Sequence, residues 1–228
     1  MKTIQISTYD IQGGAAKAAY RLHQGLRQIG QKDRMVVRHK VSTDASVLAV
    51  TTPVNVPNSF TSAELQDHYI DTHRTPLSST IFSLSYPGYD LSALAPIQTA
   101  DIINLHWVAR FQSLVTLQKL FSLGKPVVWT LHDQWAFTGG CHYSAGCKGY
   151  QQNCTACPQL ADELNHIPEA ILMDKFDLWR DANLTIVTPS RWLADCAQES
   201  ALFQGHRIEV IANSVETNVF RTYAQSRS

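Results

Sequence analysis

The stretch from Trp129 to Pro158, WTLHDQWAFTGGCHYSAGCKGYQQNCTACP, places a His-Asp pair, two tryptophans, a Gly-Gly and four cysteines within thirty residues. His132 and Asp133 follow the apolar run PVVWTL, so they stand where a buried strand would end. An imidazole there can transfer protons near neutral pH or hydrogen-bond a polar ligand, and a carboxylate beside it can orient or charge-balance it. These two are the catalytic candidates. The plainer reading, a loop histidine satisfied by neighbouring backbone, is weakened by the company of Trp135. Aromatic faces beside hydrogen-bonding groups suit a sugar, whose C–H face stacks while its hydroxyls need partners. His106-Trp107 has the same strand-end placement after DIINL, although core packing explains Trp107 equally well. Gly13-Gly14 falls between a strand pattern and a helix pattern, where backbone amides can approach an anionic group at the helix N-terminus. Lys17, one turn into that helix, faces either an anion or solvent. Lys17, His106, Trp107 and Trp135 are therefore candidates for contact with a polar ligand, and Gly13 and Gly14 for contact with an anionic group of a ligand or cofactor. The run QGGAAKAA is neither G-x-G-x-x-G nor a Walker motif, which counts against a nucleotide-dependent oxidoreductase.

Cys141, Cys147, Cys154 and Cys157 are spaced C-x5-C-x6-C-x2-C. Four thiolates can close a tetrahedral structural zinc site with no open position for water. The C-x2-C half is the usual chelating hairpin and the first half is looser than a standard zinc ribbon. One or two disulfides, or four free thiols, remain alternatives. In each case the role reads as structural, a staple on a loop at about 138–160. Cys196 falls on an apolar helix pattern and reads as a core thiol.

The elements that must hold these residues follow from periodicity. Lys2–Thr8 alternates as a strand, and Ala15, Ala19, Leu22, Leu26 and Ile29 predict one helix face, ended by Gly30. Arg34–His39 is a second strand. Segment 41–96, rich in Ser, Thr and Pro, shows little periodicity beyond a short helix at Glu64–Asp71. Strands then recur at Asp101–His106, Pro126–Leu131, Leu184–Thr188 and Arg207–Ala212. Helices alternate with them at Ser113–Phe121, Pro168–Arg180 (Leu172, Phe176 and Trp179 on one face) and Ser190–Glu199. This βαβ alternation predicts an α/β fold, a doubly wound Rossmann-like parallel sheet. Ligands of such sheets bind beyond the carboxyl ends of the strands, where the loops at Gly13-Gly14, His106-Trp107 and His132-Asp133 would converge.

Composition narrows the class. Of 228 residues 44% are apolar, and 19 Lys and Arg balance 19 Asp and Glu. That balance gives no general polyanion-binding surface, so no nucleic-acid partner is expected. No run of eighteen apolar residues and no secretory leader pattern is present, which places the expected site of action in the cytoplasm.

The run KPVVWTLHDQWAFTGGCHYSAGCKGYQQNCTACPQL resembles a branch of the family 4 glycosyltransferases, the retaining GT-B enzymes that build bacterial surface polysaccharides. QGGAAKAAYRLHQGL, DIINLHWV, VTPSRWL and IEVIANSVETNVF are similar to the same family in the same order. The resemblance implies the N-terminal, acceptor-side half of a GT-B fold over 1–220. The remaining 221–228 would be a polar tail leading to a C-terminal domain that binds most of the nucleotide-sugar donor. It implies that Gly13 and Gly14 approach the donor phosphates and the acceptor, and that His132 reaches the transferred sugar. It further implies transfer of a hexose-type sugar to a glycan or lipid-linked acceptor, without a catalytic metal. The family's Glu-x7-Glu motif is absent: no two glutamates here are eight positions apart. The chain is therefore expected to be inactive alone and to work with its own C-terminal domain. A lipid-linked acceptor would bring it to the inner face of a membrane. The reading from a different class is a noncatalytic zinc-stapled α/β module that binds carbohydrate or protein.

Overall fold

The structure, a computed structural model, describes residues 1–50, 59–78, 80–85, 88–161, 166–217 and 219–220. Seven parallel strands form one sheet in the order β3-β2-β1-β4-β5-β6-β7. They are β1 (Lys2–Tyr9), β2 (Lys32–His39), β3 (Val47–Ala49), β4 (Ile102–Leu105), β5 (Val127–Thr130), β6 (Leu184–Thr188) and β7 (Arg207–Val210). The longer helices are α1 (Gly14–Gln28), α2 (Ser59–His73), α4 (Leu114–Phe121), α5 (Ile167–Trp179) and α6 (Arg191–Glu199); α3 (Ala95–Gln98) is one turn. The expected doubly wound α/β sheet is the observed one. The chain runs outward from β1 to β3, then returns to place β4 on the other side of β1. The reversal point of the sheet therefore lies between β1 and β4, and a crevice opens at their carboxyl ends.

The central strands carry apolar core residues on one face, while Thr3, Gln5, Ser7 and Asn104 are buried polar residues on the other. Ile4, Ile6, Ile103, Leu105, Val127, Trp129 and Ile186 belong to one continuous core. Trp129 and Trp179 meet edge-on at 5.2 Å, which locks α5 against β5. Ser113 and Thr116 form a reciprocal capping box at the start of α4, and Ser190 caps α6 through the amide of Leu193.

Several local expectations change. The buried face of α1 is Ala16, Ala18, Ala19 and His23, whereas Leu22 and Ile29 are exposed. Small residues let this helix sit close to the sheet, and His23 is drawn inward by Asp33 of β2, with Nδ1 and Oδ2 2.6 Å apart. In α5, Leu172 and Trp179 are buried as expected, but Phe176 is more than a third exposed and Lys175 is buried in its place. The short helix expected at Glu64–Asp71 is part of the longer α2, and the short β3 and α3 interrupt a segment whose periodicity is too weak to signal them. Cys196 is only partly buried against the core. Positions 221–228, the expected tail, lie outside the described residues.

Candidate functional site

The loop after β1 is fixed by Asp10, whose buried carboxylate accepts from the backbone amides of Ile11, Val41 and Ser42. Burial alone would raise the Asp10 pKa; these amide donors outweigh it and hold the group below the ordinary carboxylate value. Three residues on, Gly13 takes φ of +88°, a left-handed conformation that favours glycine, and turns the chain into α1. No side chain caps α1 and its first turn holds no acidic residue, so its leading N–H groups face the crevice uncompensated.

Across the reversal point, Thr8 donates its backbone N–H to the carbonyl of Trp107 at 2.8 Å and its hydroxyl to that of Ala109. These bonds extend the pairing past the end of β4 and bring Trp107 beside Tyr9. The end of β5 delivers His132 and Asp133. Together Ser7, Tyr9, Gln12, Gly13, Gly14, Trp107, His132, Asp133, His142, Tyr143 and Asn213 line a cleft of about 510 Å³. The three suspected loops therefore meet in space. Trp107 Nε1 donates to Asp133 Oδ2 at 2.7 Å, and His142 Nδ1 lies 2.6 Å from the same oxygen. Because a carboxylate only accepts, both nitrogens carry hydrogens, and His142 Nε2 lies 3.1 Å from Ser83 Oγ.

Ser83, His142 and Asp133 thus repeat the connectivity of a hydrolytic triad, but Ser83 is fully buried and is not part of the cleft wall. Its hydroxyl cannot meet a substrate, so the trio orients Trp107 and Asp133 and does not supply a nucleophile.

His132 is tied to His106, with Nε2 and Nδ1 3.0 Å apart. Burial lowers the pKa of His132 to about 4 against the opposing pull of Asp133, and burial followed by His132 pushes His106 well below its ordinary value. Both rings are therefore neutral at pH 7. Ser7 Oγ, on the cleft wall at the end of β1, is buried and has no hydrogen-bond partner among the described residues. A buried hydroxyl without a partner is costly unless something in the cleft satisfies it.

Three candidates are not on the cleft wall. Lys17 is exposed on α1 away from the cleft wall. Trp135 is buried; its Nε1 donates to the carbonyl of Ser83, and its ring lies under the Lys175 ammonium at 4.1 Å. His106 stands behind the wall, in contact with His132. Tyr9, His142 and Tyr143 belong to the wall although sequence reasoning passed them over. His142 could be noticed there only as the neighbour of Cys141.

The four loop cysteines line one small cavity of about 20 Å³. None of them is in a disulfide, and among the described residues no three His, Cys, Asp or Glu side chains are disposed to hold a metal ion as they stand. The donor type fits zinc, whereas the present spacing does not.

A doubly wound α/β domain with a polar, aromatic-walled cleft at its reversal point is the class that these observations define. No family model matches the chain. It is 24% identical over 229 aligned residues to "Putative colanic acid biosynthesis glycosyl transferase WcaC" of Escherichia coli (strain K12), covering 95% of this chain and 55% of that protein. The chain thus spans about half the length of the curated relative that it matches. In fold it is similar to sucrose-phosphate synthase from Thermosynechococcus elongatus, with a TM-score of 0.52 at 10% identity, over 98% of this chain and 51% of that one. Among the described residues no helix is long and apolar enough to cross a membrane.

Proposed function

We propose that the chain is the acceptor-side half of a retaining glycosyltransferase, which moves a hexose-type sugar from a nucleotide-sugar to a glycan or lipid-linked acceptor in polysaccharide assembly. The observation that carries the proposal is the cleft at the reversal point of the sheet. There the uncapped start of α1, the half-buried His132, the Trp107–Asp133 pair and the unpaired Ser7 hydroxyl converge. Leading N–H groups suit a phosphate or a developing negative charge, and neutral imidazole, carboxylate and hydroxyl suit sugar hydroxyls. Similarity to a glycosyl transferase over nearly the whole chain supports the same reading. The donor would be held mainly by a second α/β unit facing this cleft, so the chain by itself gives no turnover. No catalytic metal is invoked; retention at the anomeric carbon comes from the family resemblance. Action at the inner face of a membrane belongs to the lipid-linked form of the acceptor.

The test is transfer from a panel of nucleotide-sugars by a protein that carries this chain together with a donor-side unit, with product anomers read by NMR. His132→Ala is expected to lower kcat/KM by ~10²-fold or more, as loss of a proton-transfer or transition-state contact does. Unchanged kcat/KM, or glycan binding with no transfer from any donor, would sink the proposal.

A further inference from the structure

A chain of buried polar groups runs from the cleft along one face of the sheet, from the end of β4 across β1 to β2. His132 meets His106, His106 Nε2 meets Gln5 Oε1 at 2.9 Å, and Gln5 Nε2 donates to Asp33 Oδ1 at 2.8 Å. We propose that Gln5, anchored by Asp33, sets the tautomer of His106 and through it that of His132, so that His132 presents to the cleft a proton-free Nδ1, an acceptor and not a donor.

The direction of every link is fixed by its chemistry. Asp33 is 4% exposed and collects three neighbours: the Thr3 hydroxyl, the Gln5 amide and His23 Nδ1. A carboxylate only accepts, so the Gln5 NH₂ group must point at it and the Gln5 carbonyl must point the other way. Asn104 agrees with that orientation. Its Oδ1 accepts from the Thr130 hydroxyl, which leaves its Nδ2 to donate to Gln5 Oε1 at 2.9 Å. His106 Nε2 faces the same oxygen and must therefore carry a hydrogen; otherwise two lone pairs would oppose each other in a site closed to water. A neutral His106 then has its lone pair on Nδ1, and the facing His132 Nε2 must be the protonated one. What remains on His132 is Nδ1 without a hydrogen. Both rings being neutral supports the same assignment, since a second proton on either would be buried.

Gln5 is thus a positioning residue that acts through His106; it touches no substrate. Within the glycosyltransferase reading, His132 accepts a hydrogen bond from a sugar hydroxyl and cannot act as an acid at neutral pH. That functional consequence rests on the proposed transferase, but the tautomer does not. Failure of transfer would leave the ring nitrogens unchanged, and a reversed tautomer would leave a transfer assay standing.

The measurement is two-bond ¹H–¹⁵N correlation on the ¹⁵N-labelled 228-residue chain at pH 7, without ligand. In that spectrum a proton-free ring nitrogen resonates far downfield of a protonated one. His106 and His132 are each expected to show protonated Nε2 and bare Nδ1; a protonated Nδ1 on His132 would overturn the proposal. Gln5→Leu removes the acceptor that orients His106. In the folded variant both histidines should lose the single-tautomer pattern, and an unchanged His132 spectrum would remove Gln5 from its role. His106→Phe removes the acceptor facing His132 directly and should free the His132 tautomer even if Gln5→Leu does not fold. Retention of the wild-type pattern in His106→Phe would count against the proposal.

Discussion

His106 and His132 are unusual as residues because the fold keeps them neutral at a pH where free imidazole is partly charged. Burial lowers both, His132 to about 4 from an ordinary value of 6.5. Linkage gives the consequence for stability. Above pH 6.5 neither the folded nor the unfolded chain protonates these rings, and their neutral burial carries no proton penalty. As pH falls below 6.5 the unfolded chain takes up protons that the folded chain refuses, so stability falls with pH through the window from 6.5 to about 4. His39, lowered by burial and then by Arg38, adds in the same sense, whereas Asp10, Asp44 and Asp90 lie below 3.8 and act only at lower pH. The urea midpoint should therefore drop between about pH 6.5 and 4.5, and His132→Gln should flatten part of that slope. A slope identical in the variant would show that His132 does not titrate in this way.

At the scale of elements, the glycines at 139 and 140 seat the cysteine loop against its neighbours. A Cβ on Gly139 would lie 2.2 Å from the carbonyl oxygen of Pro168, at the start of α5, and one on Gly140 would lie 2.4 Å from the Phe82 ring. Backbone cannot yield as a flexible side chain can, so Gly139→Ala should cost about 1–3 kcal/mol or more in urea unfolding. Gly25, inside α1 with nothing within 4 Å of where an added Cβ would lie, offers the opposite case. Gly25→Ala should stabilise by roughly 0.5–1 kcal/mol, because alanine loses less backbone entropy on entering a helix. Equal effects of the two substitutions would refute the packing argument. The same scale shows why periodicity located helices well and their inner faces less well. In α1 the deciding contact is His23 with Asp33, and in α5 it is Lys175, which donates to the carbonyls of Trp135 and Thr138. Both are polar residues whose burial depends on partners distant in sequence, and no apolar pattern signals that.

For the whole molecule, strand–helix alternation made the parallel sheet legible, and the sheet's reversal point then told which loops must meet. Gly13, Trp107, His132 and Asp133 were legible in that way. Tyr9 and His142 were not, because their place on the wall depends on how loops fold back across the crevice. The cysteine loop tests how far spacing alone can be read. Besides its cysteines, the loop has other ties: bridges join Arg74 to Leu160 and Phe82 to Cys141, and Lys175 of α5 donates to the carbonyl of Thr138. Burial pushes the Cys141 thiol up to about 12, and Cys141 is only 9% exposed, while Cys147 and Cys157 are partly open to solvent. Iodoacetamide labelling of the native, metal-free chain, read by peptide mass spectrometry, should therefore spare Cys141 while modifying Cys147 and Cys157. Labelling of Cys141 at the rate of an unfolded control would mean that the loop opens freely. Protection of all four thiols once one equivalent of zinc is added back would show instead that the cysteines draw in around a metal, as their C-x2-C half alone suggests.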